Sequence, residues 1–392
     1  MDTLRARSAS RIGQLATFYP RTLGGAEVGL DVLLDGFDLK GLGYMLITLD
    51  RARGETGRKV FEISPLQIVP RRAKIFGSPI LDSILANELA KVIKNNGLDL
   101  LHVHDTYSLP GAIMAAEEVG IPTILSYHND VRVPHSSFGV PSPFSSWMDS
   151  REDTILEAAR ACTRVIADSN YISEQLMGAG LPRDRIRTIY IDGAISDWPG
   201  KLMHRTHQGF RILAVGRLQE HKGFQYLIDA VPEMVSKTKE LKVIIAGNGP
   251  YRRKLSKLVS RLGIRDFVSL VGYRDQKSLS SLYEWADVVI IPTVTPEPFG
   301  RVAVEAMSRG KPVIGSDVGG IPEVVKDGET GFLVRSANPF DLAEKVLLLV
   351  ERPDLRREIG ERAFDLCRER FNQDLITEQV CDVYEEVRGI LA

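Results

Sequence analysis

The chain has 392 residues, too many for one ordinary hydrophobic core, so we expect two domains. Hydrophobic residues make up 44% of the sequence and charged residues 26%, and no apolar run approaches the length of a membrane span, which is typical of a globular protein outside the membrane. The formal net charge of -1 gives no general attraction to polyanions, so we expect no nucleic-acid partner.

The N-terminus and the cysteines predict a cytoplasmic location. The first ten residues are polar and basic and no hydrophobic stretch follows them, so the sequence shows no signal peptide. Cys162, Cys367 and Cys381 fit neither a disulfide framework nor a zinc-binding pair, and we interpret them as buried thiols in a reducing compartment. The basic and apolar segment Arg71–Ile80 leaves two interpretations open, a solvated loop or a peripheral contact with the inner face of the membrane.

Apolar segments alternate with amphipathic segments along most of the chain. This alternation predicts parallel sheets covered by helices on both faces. Two of the predicted helices have clear N-terminal signals, Ser78 followed by Pro79 and Asn338 followed by Pro339. The first series of predicted strands reads IGQLA, YMLITL, LLHVH, TILSYH, RVIADS and RTIYI, and the second reads RILAVG, KVIIAG, VSLVG, DVVIIPT, KPVIGS and GFLV.

A polar, irregular segment at Gly193–Gly209 separates the two series of strands. The sequence therefore predicts an α/β protein of two doubly wound domains, 1–195 and 196–372, that face a central cleft. Ligands of such domains bind at the carboxyl ends of the strands, so the cleft is the expected site. The long, Pro- and Ser-rich segment Arg132–Ser150 follows a strand directly and is either a plain surface loop or a mobile, ligand-binding one.

Residues at the ends of the N-terminal strands are candidates for ligand contacts. Gly24 and Gly25 lie between the first strand and a helix that begins near Ala26, where they form either an ordinary turn or a close approach of the backbone to an anion. His128 closes a strand, and from there its side chain could donate a hydrogen bond to a substrate hydroxyl.

The segment LLHVHD allows a metal interpretation. His102 and His104 lie on one face of a strand with Asp105 next to them, a pattern that could hold an ion, although a core role is the simpler interpretation for a histidine in mid-strand. No Asp-x-Asp pair occurs in the sequence, so a metal-held diphosphate is disfavoured. We predict no metal site and no cofactor.

Two cations follow the first strand of the second series. The strand ends at Gly216, Arg217 comes next, and Lys222 lies where the following helix begins. Cations beside a helix N-terminus suit a diphosphate, although a solvated surface charge is the commoner role of Lys and Arg. Gly247 and Gly249 follow the next strand, but position 252 is not the third glycine that a dinucleotide-binding fingerprint requires.

The segment PEPFGRVAVEAM places Glu297 and Glu305 eight positions apart. Pro296 and Pro298 disfavour a helix before Phe299. Glu297 is therefore expected in a loop at the mouth of a helix, and Glu305 is expected two turns inside that helix.

Together these motifs resemble those of the retaining glycosyltransferases of family 4, which have the GT-B fold of two Rossmann-like domains. The resemblance covers nearly the whole chain and includes the segments AGNGPYRRKL and GKPVIGSDVGGIPEVV. It implies that 1–195 is an acceptor-binding domain, that 196–372 binds a nucleotide-sugar, and that a C-terminal helix, 373–392, packs back on the first domain.

The resemblance also implies an activity. A hexose-type sugar would move from a UDP-, GDP- or ADP-sugar to a hydroxyl acceptor (a glycan, a lipid or a small molecule), with retention at the anomeric carbon and without a metal. Arg217 and Lys222 would hold the diphosphate, Glu305 the ribose and Glu297 the transferred sugar. His128, Glu297, Arg217 and Lys222 would be catalytic. Further donor contacts are implied for Gly24, Gly25, Gly216, Gly247, Gly249 and the backbone N–H groups of Phe299, Gly300 and Arg301.

Two residues depart from the family pattern. Arg301 stands where a small or aliphatic residue is usual, which would add a phosphate contact or alter the choice of sugar. Asp192 with Gly193 replaces an Asn-Gly turn, and we interpret this change as harmless because Asp also tolerates turn geometry. Two alternative functions stay open, a sugar-nucleotide 2-epimerase of the same fold and a nucleotide-sugar-binding subunit without catalysis. The sequence also leaves open the acceptor, the base, the sugar and the oligomeric state.

Overall fold

The computed structural model describes residues 11–17, 19, 25–49, 58–63, 78–129, 144–199, 202 and 208–391. The chain divides into two compact units, the first formed by Met1–Ala194 with Gln373–Ala392 and the second by Ile195–Asn372. Each is an α/β unit built on a parallel sheet, as the alternation of segments predicts. No helix in the described ranges is long and apolar enough to cross a membrane. Acceptor binding by the first unit and donor binding by the second stay predictions.

The first unit contains a parallel sheet in which the earliest strand is central. Ile12 pairs with both Tyr44 and Leu100, so the first strand lies between the second and the fourth. The strands are β1 (Ile12–Ala16), β2 (Tyr44–Thr48), β3 (Val60–Glu62), β4 (Leu100–Val103), β5 (Thr123–Tyr127), β6 (Arg164–Ala167) and β7 (Ile186–Thr188). Their order in the sheet is β3-β2-β1-β4-β5-β6-β7.

Two strands of this sheet differ from the sequence prediction. The pattern gives no sign of β3, because its three residues are exposed or half-buried and form no apolar run. The last strand is predicted to continue through RTIYI, but β7 ends at Thr188 and a short 3-10 helix follows at Ile191–Gly193.

The two faces of this sheet pack against different helices. Successive side chains of a strand point to opposite faces, and accordingly Leu100 and Leu101 belong to different hydrophobic clusters. The helices of the first unit are α1 (Gly25–Leu39), α2 (Pro79–Asn96), α3 (Leu109–Val119), α4 (Phe144–Ala161) and α5 (Asn170–Gly178), followed at the end of the chain by α13 (Gln373–Leu391). One cluster contains residues of α2 to α5, and the other contains residues of α1 and α13.

The C-terminal helix α13 is held tightly on the first unit. A Cβ at Gly36 of α1 would lie only 2.1 Å from Oγ1 of Thr377, so the glycine permits the two helices to approach. The hydroxyl of Tyr384 is 2.7 Å from Nδ1 of His102 and accepts a hydrogen bond of 3.0 Å from Nε2 of Gln14. These buried polar contacts join the helix to β1 and β4.

The second unit repeats the same sheet topology. Its strands are β8 (Phe210–Val215), β9 (Leu241–Ala246), β10 (Val268–Gly272), β11 (Val288–Ile291), β12 (Val313–Ser316) and β13 (Gly331–Val334), in the order β10-β9-β8-β11-β12-β13. Its helices are α6 (Phe224–Lys237), α7 (Arg252–Arg261), α8 (Gln276–Trp285), α9 (Arg301–Met307), α10 (Ile321–Val324), α11 (Pro339–Glu351) and α12 (Pro353–Arg370). The sequence patterns predict all six of these strands, because each forms a short and mainly apolar run, including the partly exposed edge strand β10.

Both helix starts predicted from caps are confirmed. Oγ of Ser78 accepts a hydrogen bond from the backbone N–H of Leu81, at 3.2 Å. Oδ1 of Asn338 accepts from the backbone N–H groups of Phe340 and Asp341. The prediction of buried thiols is also confirmed, since all three cysteines are free and buried, and burial raises the pKa of Cys162 to about 12.

Two predicted loops lie mostly outside the described residues. Residues 71–77 of the basic and apolar segment are outside them, and Ser78 to Ile80 belong to the start of α2. Residues 132–143 of the Pro- and Ser-rich segment are also outside. Its last seven residues are not a loop but the start of α4, which begins directly after Pro143, where no further proline interrupts the helix.

Candidate active site

The second unit has a topological switch point between β8 and β11. From β8 the chain proceeds to β9 and β10 on one side, whereas β11 leads to β12 and β13 on the other. The loops after β8 and β11 therefore diverge and leave a crevice at the carboxyl ends of these strands, where ligands of such sheets bind. Arg217 and Lys222 follow β8, and Glu297 follows β11.

The loop after β8 is fixed by close backbone packing. Lys222 ends a short 3-10 helix, and Gly223 after it has a φ of +71°. A Cβ at Gly223 would lie 1.7 Å from the carbonyl oxygen of Pro292, which follows β11. Only glycine fits there, and the contact holds Lys222 beside the end of β11. The side chain of Arg217 is exposed and makes no hydrogen bond or ion pair with the described residues.

The two predicted glycines after β9 pack against the same loop. A Cβ at Gly247 would lie 1.8 Å from the carbonyl oxygen of Gly216, and one at Gly249 would lie 2.4 Å from that of Leu218. Both glycines therefore have a structural reason to be small, the close approach of two loops. Contact of either with a nucleotide stays a prediction.

Lys222 and Glu297 form an ion pair that the sequence does not reveal. Nζ of Lys222 is 2.8 Å from Oε1 of Glu297, and the side chains are 24% and 19% exposed. The cation predicted for the diphosphate and the carboxylate predicted for the sugar therefore contact each other in the structure. The lowered pKa of neighbouring His221 results from burial and then from the charge of Lys222, against the opposing effect of Glu297.

The backbone around Glu297 is held by the segment SDVGG. Gly319 has a φ of +61°, and a Cβ there would lie 2.4 Å from the carbonyl oxygen and 2.5 Å from the nitrogen of Glu297. The N–H of Gly320 donates a hydrogen bond of 2.8 Å to the same carbonyl. Two glycines in this segment thus let one loop lie flat against the other and fix the direction in which Glu297 leaves the backbone.

Glu305 lies in α9 with both carboxylate oxygens engaged. It is the fifth residue of a helix that begins at Arg301, so it lies one turn inside rather than the two turns predicted; Phe299 and Gly300 precede the helix and shift its start. Its side chain is 8% exposed. The hydroxyl of Tyr283 donates to Oε2 at 2.7 Å, and Nε of Arg301 donates to Oε1 at 2.9 Å.

The contacts around Glu305 also bear on the ligand contacts predicted for Arg301 and Phe299. Arg301, which departs from the family pattern, points its Nε at Glu305, so its first partner in the structure is a carboxylate rather than a phosphate. Burial and then the carboxylate of Glu305 raise the pKa of Tyr283 well above its usual value, so the phenol stays a donor. The ring of Phe299 is buried and packs edge-on against Phe371, which leaves only its backbone for a ligand.

The first unit brings together three residues of which the sequence predicts only one. His128 follows β5, Asp168 follows β6, and Asp192 lies in the 3-10 helix after β7. Nδ1 of His128 hydrogen-bonds Oδ2 of Asp168 and is 3.2 Å from Oδ1 of Asp192. The side chains of His128 and Asp168 are 6% and 0% exposed. We call these three residues the His–Asp–Asp cluster.

The electrostatics of this cluster are unusual. Burial alone would lower the pKa of His128, but the carboxylates of Asp168 and Asp192 outweigh it and raise that pKa well above its usual value. Burial, and then the charge of Asp192, raise the pKa of Asp168 to about 7, although His128 acts in the opposite direction. Burial thus favours the protonated form of Asp168, and the two carboxylates favour the protonated ring of His128.

Neither carboxylate of the cluster is among the site residues predicted from the sequence. Asp168 was visible as the polar end of the apolar run RVIADS, the same signal that identifies His128. The interpretation of Asp192 as a harmless turn residue is incomplete, because its carboxylate also approaches a buried histidine. Helix α1 also packs closely against Asp192, since a Cβ at Gly29 would lie 2.8 Å from its Oδ1 and 3.0 Å from its Cα.

Two other predictions for the N-terminal strand ends can be compared with the structure. Gly25 is the first residue of α1, and Gly24 lies outside the described residues. The metal interpretation of His102, His104 and Asp105 finds no support in the described ranges. The ring of His102 contacts Tyr384 and Ser126, and Asp105 accepts hydrogen bonds from Thr17 and Ser108. Burial lowers the pKa of His102 to about 3.

Comparison with known proteins identifies the family. The family model of group 1 glycosyl transferases matches residues 204–365, and that of glycosyltransferase family 4 matches residues 23–191. D-inositol 3-phosphate glycosyltransferase 2 of Catenulispora acidiphila is 31% identical over 318 residues, which are 74% of this chain and 72% of that protein. The chain belongs to the family 4 glycosyltransferases.

Two further comparisons agree with the assignment of the chain to this family. The N-acetyl-α-D-glucosaminyl L-malate synthase of Bacillus anthracis is 27% identical over 386 residues, 95% of this chain and 96% of that protein. The structure of Anabaena Alr3699/HepE in complex with UDP-glucose has a TM-score of 0.73 at 22% identity, and the match covers 96% of this chain and 99% of that one. This likeness shows that the glycosyltransferase has the GT-B fold of two Rossmann-like domains.

The crowding of Gly319 against Glu297 can be measured with a matched control. Gly319→Ala and Gly328→Ala both place alanine at a left-handed φ, but a Cβ at Gly328 meets open space. We expect Gly328→Ala to cost about 1–2 kcal/mol of unfolding free energy through φ alone, and Gly319→Ala to cost roughly 1–3 kcal/mol more through the clash. Urea unfolding of both variants gives the difference. Equal losses would show that Gly319 does not hold the Glu297 backbone.

Proposed function

We propose that this family 4 glycosyltransferase moves a hexose-type sugar from a nucleoside diphosphate sugar to a hydroxyl group of an acceptor. We further propose that the transfer retains the configuration at the anomeric carbon and needs no divalent metal. The observation that carries the proposal is the pairing of Lys222 with Glu297 at the switch point of the second unit, with Arg217 exposed on the same loop. This arrangement provides positive charge for a diphosphate and a carboxylate for sugar hydroxyls.

The donor would bind along the carboxyl ends of β8 and β11. Arg217 and Lys222 hold the diphosphate, Glu297 accepts hydrogen bonds from the transferred sugar, and Glu305 accepts them from the ribose. Glu305 can do so while bound to Tyr283 and Arg301, because each carboxylate oxygen accepts more than one hydrogen bond. The Anabaena relative supports the donor class, since its structure contains UDP-glucose.

Donor binding would exchange the partner of Lys222. In the structure, Oε1 of Glu297 lies 2.8 Å from the ammonium group of Lys222 and balances its charge. A diphosphate carries more negative charge than one carboxylate and would attract Lys222 away, which frees Glu297 for the hydroxyl groups of the sugar. The pair is partly exposed, so its separation leaves neither charge stranded in an apolar environment.

The leaving group would be stabilised by fixed charges. Cleavage of the glycosidic bond places an additional negative charge on the nucleoside diphosphate, and Arg217 and Lys222 are positioned before the reaction to compensate it. His128 donates a hydrogen bond to an oxygen of the reacting sugar. These groups replace the charge that a metal ion supplies in other transferases, which is the reason to propose metal independence.

The phosphate contacts predict a loss of nucleotide affinity in two variants. Arg217→Ala and Lys222→Ala each remove a charge-assisted hydrogen bond, which contributes about 1.5–3 kcal/mol, or roughly 10- to 150-fold in Kd. A thermal-shift screen of UDP, GDP and ADP first identifies the ligand, and calorimetry then measures its Kd. Arg274→Ala, at an exposed arginine after β10, controls for the loss of general positive charge. If both variants bind the nucleotide as the wild type does, the diphosphate site lies elsewhere.

Substitution of the two glutamates should affect nucleotide binding and turnover in different ways. Glu297→Gln removes the competitor of the phosphate for Lys222, so free nucleoside diphosphate should bind at least as tightly as to the wild type. Turnover should fall by about 10- to 100-fold if one charged hydrogen bond strengthens at the transition state.

Glu305→Gln should show the opposite pattern, because the ribose does not react. We expect a raised Kd for free nucleoside diphosphate and a raised KM for the donor, with a smaller change in turnover. Calorimetry and steady-state kinetics on both variants make the comparison. Equal loss of nucleotide affinity in the two variants would contradict this division between sugar and ribose.

Metal independence is tested by chelation. We expect full transfer activity after exhaustive treatment with EDTA, because the cations of the second unit act in place of an ion. The assay compares labelled donor alone with donor plus candidate acceptors, so that epimerisation without an acceptor is also detected. Activity that disappears with EDTA and returns with magnesium or manganese would refute the proposal.

A further inference from the structure

The His–Asp–Asp cluster contains a buried ring nitrogen that has no hydrogen-bond partner in the described part of the chain. Nδ1 of His128 contacts two carboxylates, but Nε2 has no hydrogen-bond partner among the described residues although it is buried. The side chain is only 6% exposed, so water does not simply replace the partner. A buried polar atom of this kind has a ligand as its natural partner.

We propose that Asp168 and Asp192 are positioning residues of the transfer reaction, which together hold His128 as an imidazolium whose Nε2–H faces an oxygen of the reacting sugar. The proposal rests on the role of His128 in the proposed function. Neither aspartate touches the reactants; both act through the ring of His128.

The geometry requires a proton on Nδ1. A carboxylate is only an acceptor when ionised, and Nδ1 lies within contact distance of one oxygen from each aspartate. A single carboxylate would be satisfied by neutral imidazole with its proton on Nδ1, as in a general base. The second carboxylate adds a negative charge to a buried site. Only a second proton, either on the ring or on the pair of carboxyl groups, compensates this charge.

The other titratable groups near the ring of His128 do not supply the positive charge that would balance the two carboxylates. His102 lies in β4 and His104 directly follows this strand. Burial lowers the pKa of His102 to about 3 and that of His104 well below its usual value, so both are neutral. His128 is thus the charged member of the three histidines. Its pKa is raised by the two aspartates against the effect of burial.

A divalent ion is a less suitable occupant than a proton. The donor atoms of His128, Asp168 and Asp192 lie within 4.8 Å of one another. An ion bound to Nδ1, however, would have to replace the proton that both carboxylates already contact. The direct contacts between the three side chains therefore favour a shared proton.

The protonation of His128 can be read without any activity assay. Full-length protein labelled with 13C at the Cε1 position of histidine gives one signal per ring, and His128→Gln assigns the signal of His128. We expect an imidazolium shift at pH 8 in the wild type, and in Asp192→Asn a fall of the pKa of His128 by about 1 to 3. Asp168→Asn should act in the same direction. Asp184→Asn, at an exposed carboxylate outside the cluster, should leave the signal unchanged.

These measurements test the charge of His128 independently of the proposed function. A neutral ring at pH 7 in the wild type overturns the inference whatever the enzyme does, and a signal that moves only when zinc or magnesium is added would show a metal site instead. If Asp168→Asn does not fold, the less buried Asp192→Asn still decides the question.

A pH profile of turnover provides the functional test. His128 must be charged to donate from Nε2, so activity is present below its pKa and is lost as the pH rises through it. We expect the wild type to keep its turnover at pH 8 and Asp192→Asn to lose turnover progressively above its lowered pKa. Unchanged profiles in both aspartate variants, with the imidazolium confirmed, would show that the cluster is structural only.

Discussion

The ion pair between Lys222 and Glu297 joins the loops after β8 and β11, the two strands on either side of the switch point of the second unit. Its short distance depends on backbone contacts that only glycine allows. Gly223 holds the lysine loop against Pro292, and Gly319 holds the glutamate loop from the other side. The charges meet because the backbone brings them together, so the glycines are as necessary to the site as the charged side chains are.

Glu305 shows the same relation between backbone and charge at a more buried position. Tyr283 and Arg301 donate to its two oxygens, and these hydrogen bonds compensate the burial of the carboxylate. The arginine that departs from the family pattern therefore has a structural role in this chain. A donor that reaches Glu305 meets a carboxylate already held in one orientation, which lowers the entropy lost on binding.

Much of the fold could be predicted because buried parallel strands are continuous apolar runs, and because Ser78 and Asn338 cap their helices through local contacts. Strand β3 was missed because its three residues carry no such run. Candidate site residues that directly follow strands, such as Arg217 and His128, could be proposed from their position alone. Contacts between them were not, because Lys222 and Glu297 are 75 residues apart and His128 and Asp168 are 40 apart. Such pairs are set by strand order, which one sequence does not display.

Burial decides which of these charged contacts can change partner. Lys222 and Glu297 keep about a fifth of their surface in solvent, so a diphosphate can replace the carboxylate while water compensates the separated charges. Asp168 has no exposed surface, and its separation from His128 would leave two charges in an environment that solvates neither. In the proposed function, the second unit would therefore exchange ions as its ligand arrives, whereas the cluster of the first unit would keep its proton and act as a fixed charge. The difference follows from exposure alone, since both contacts pair one cation with carboxylates.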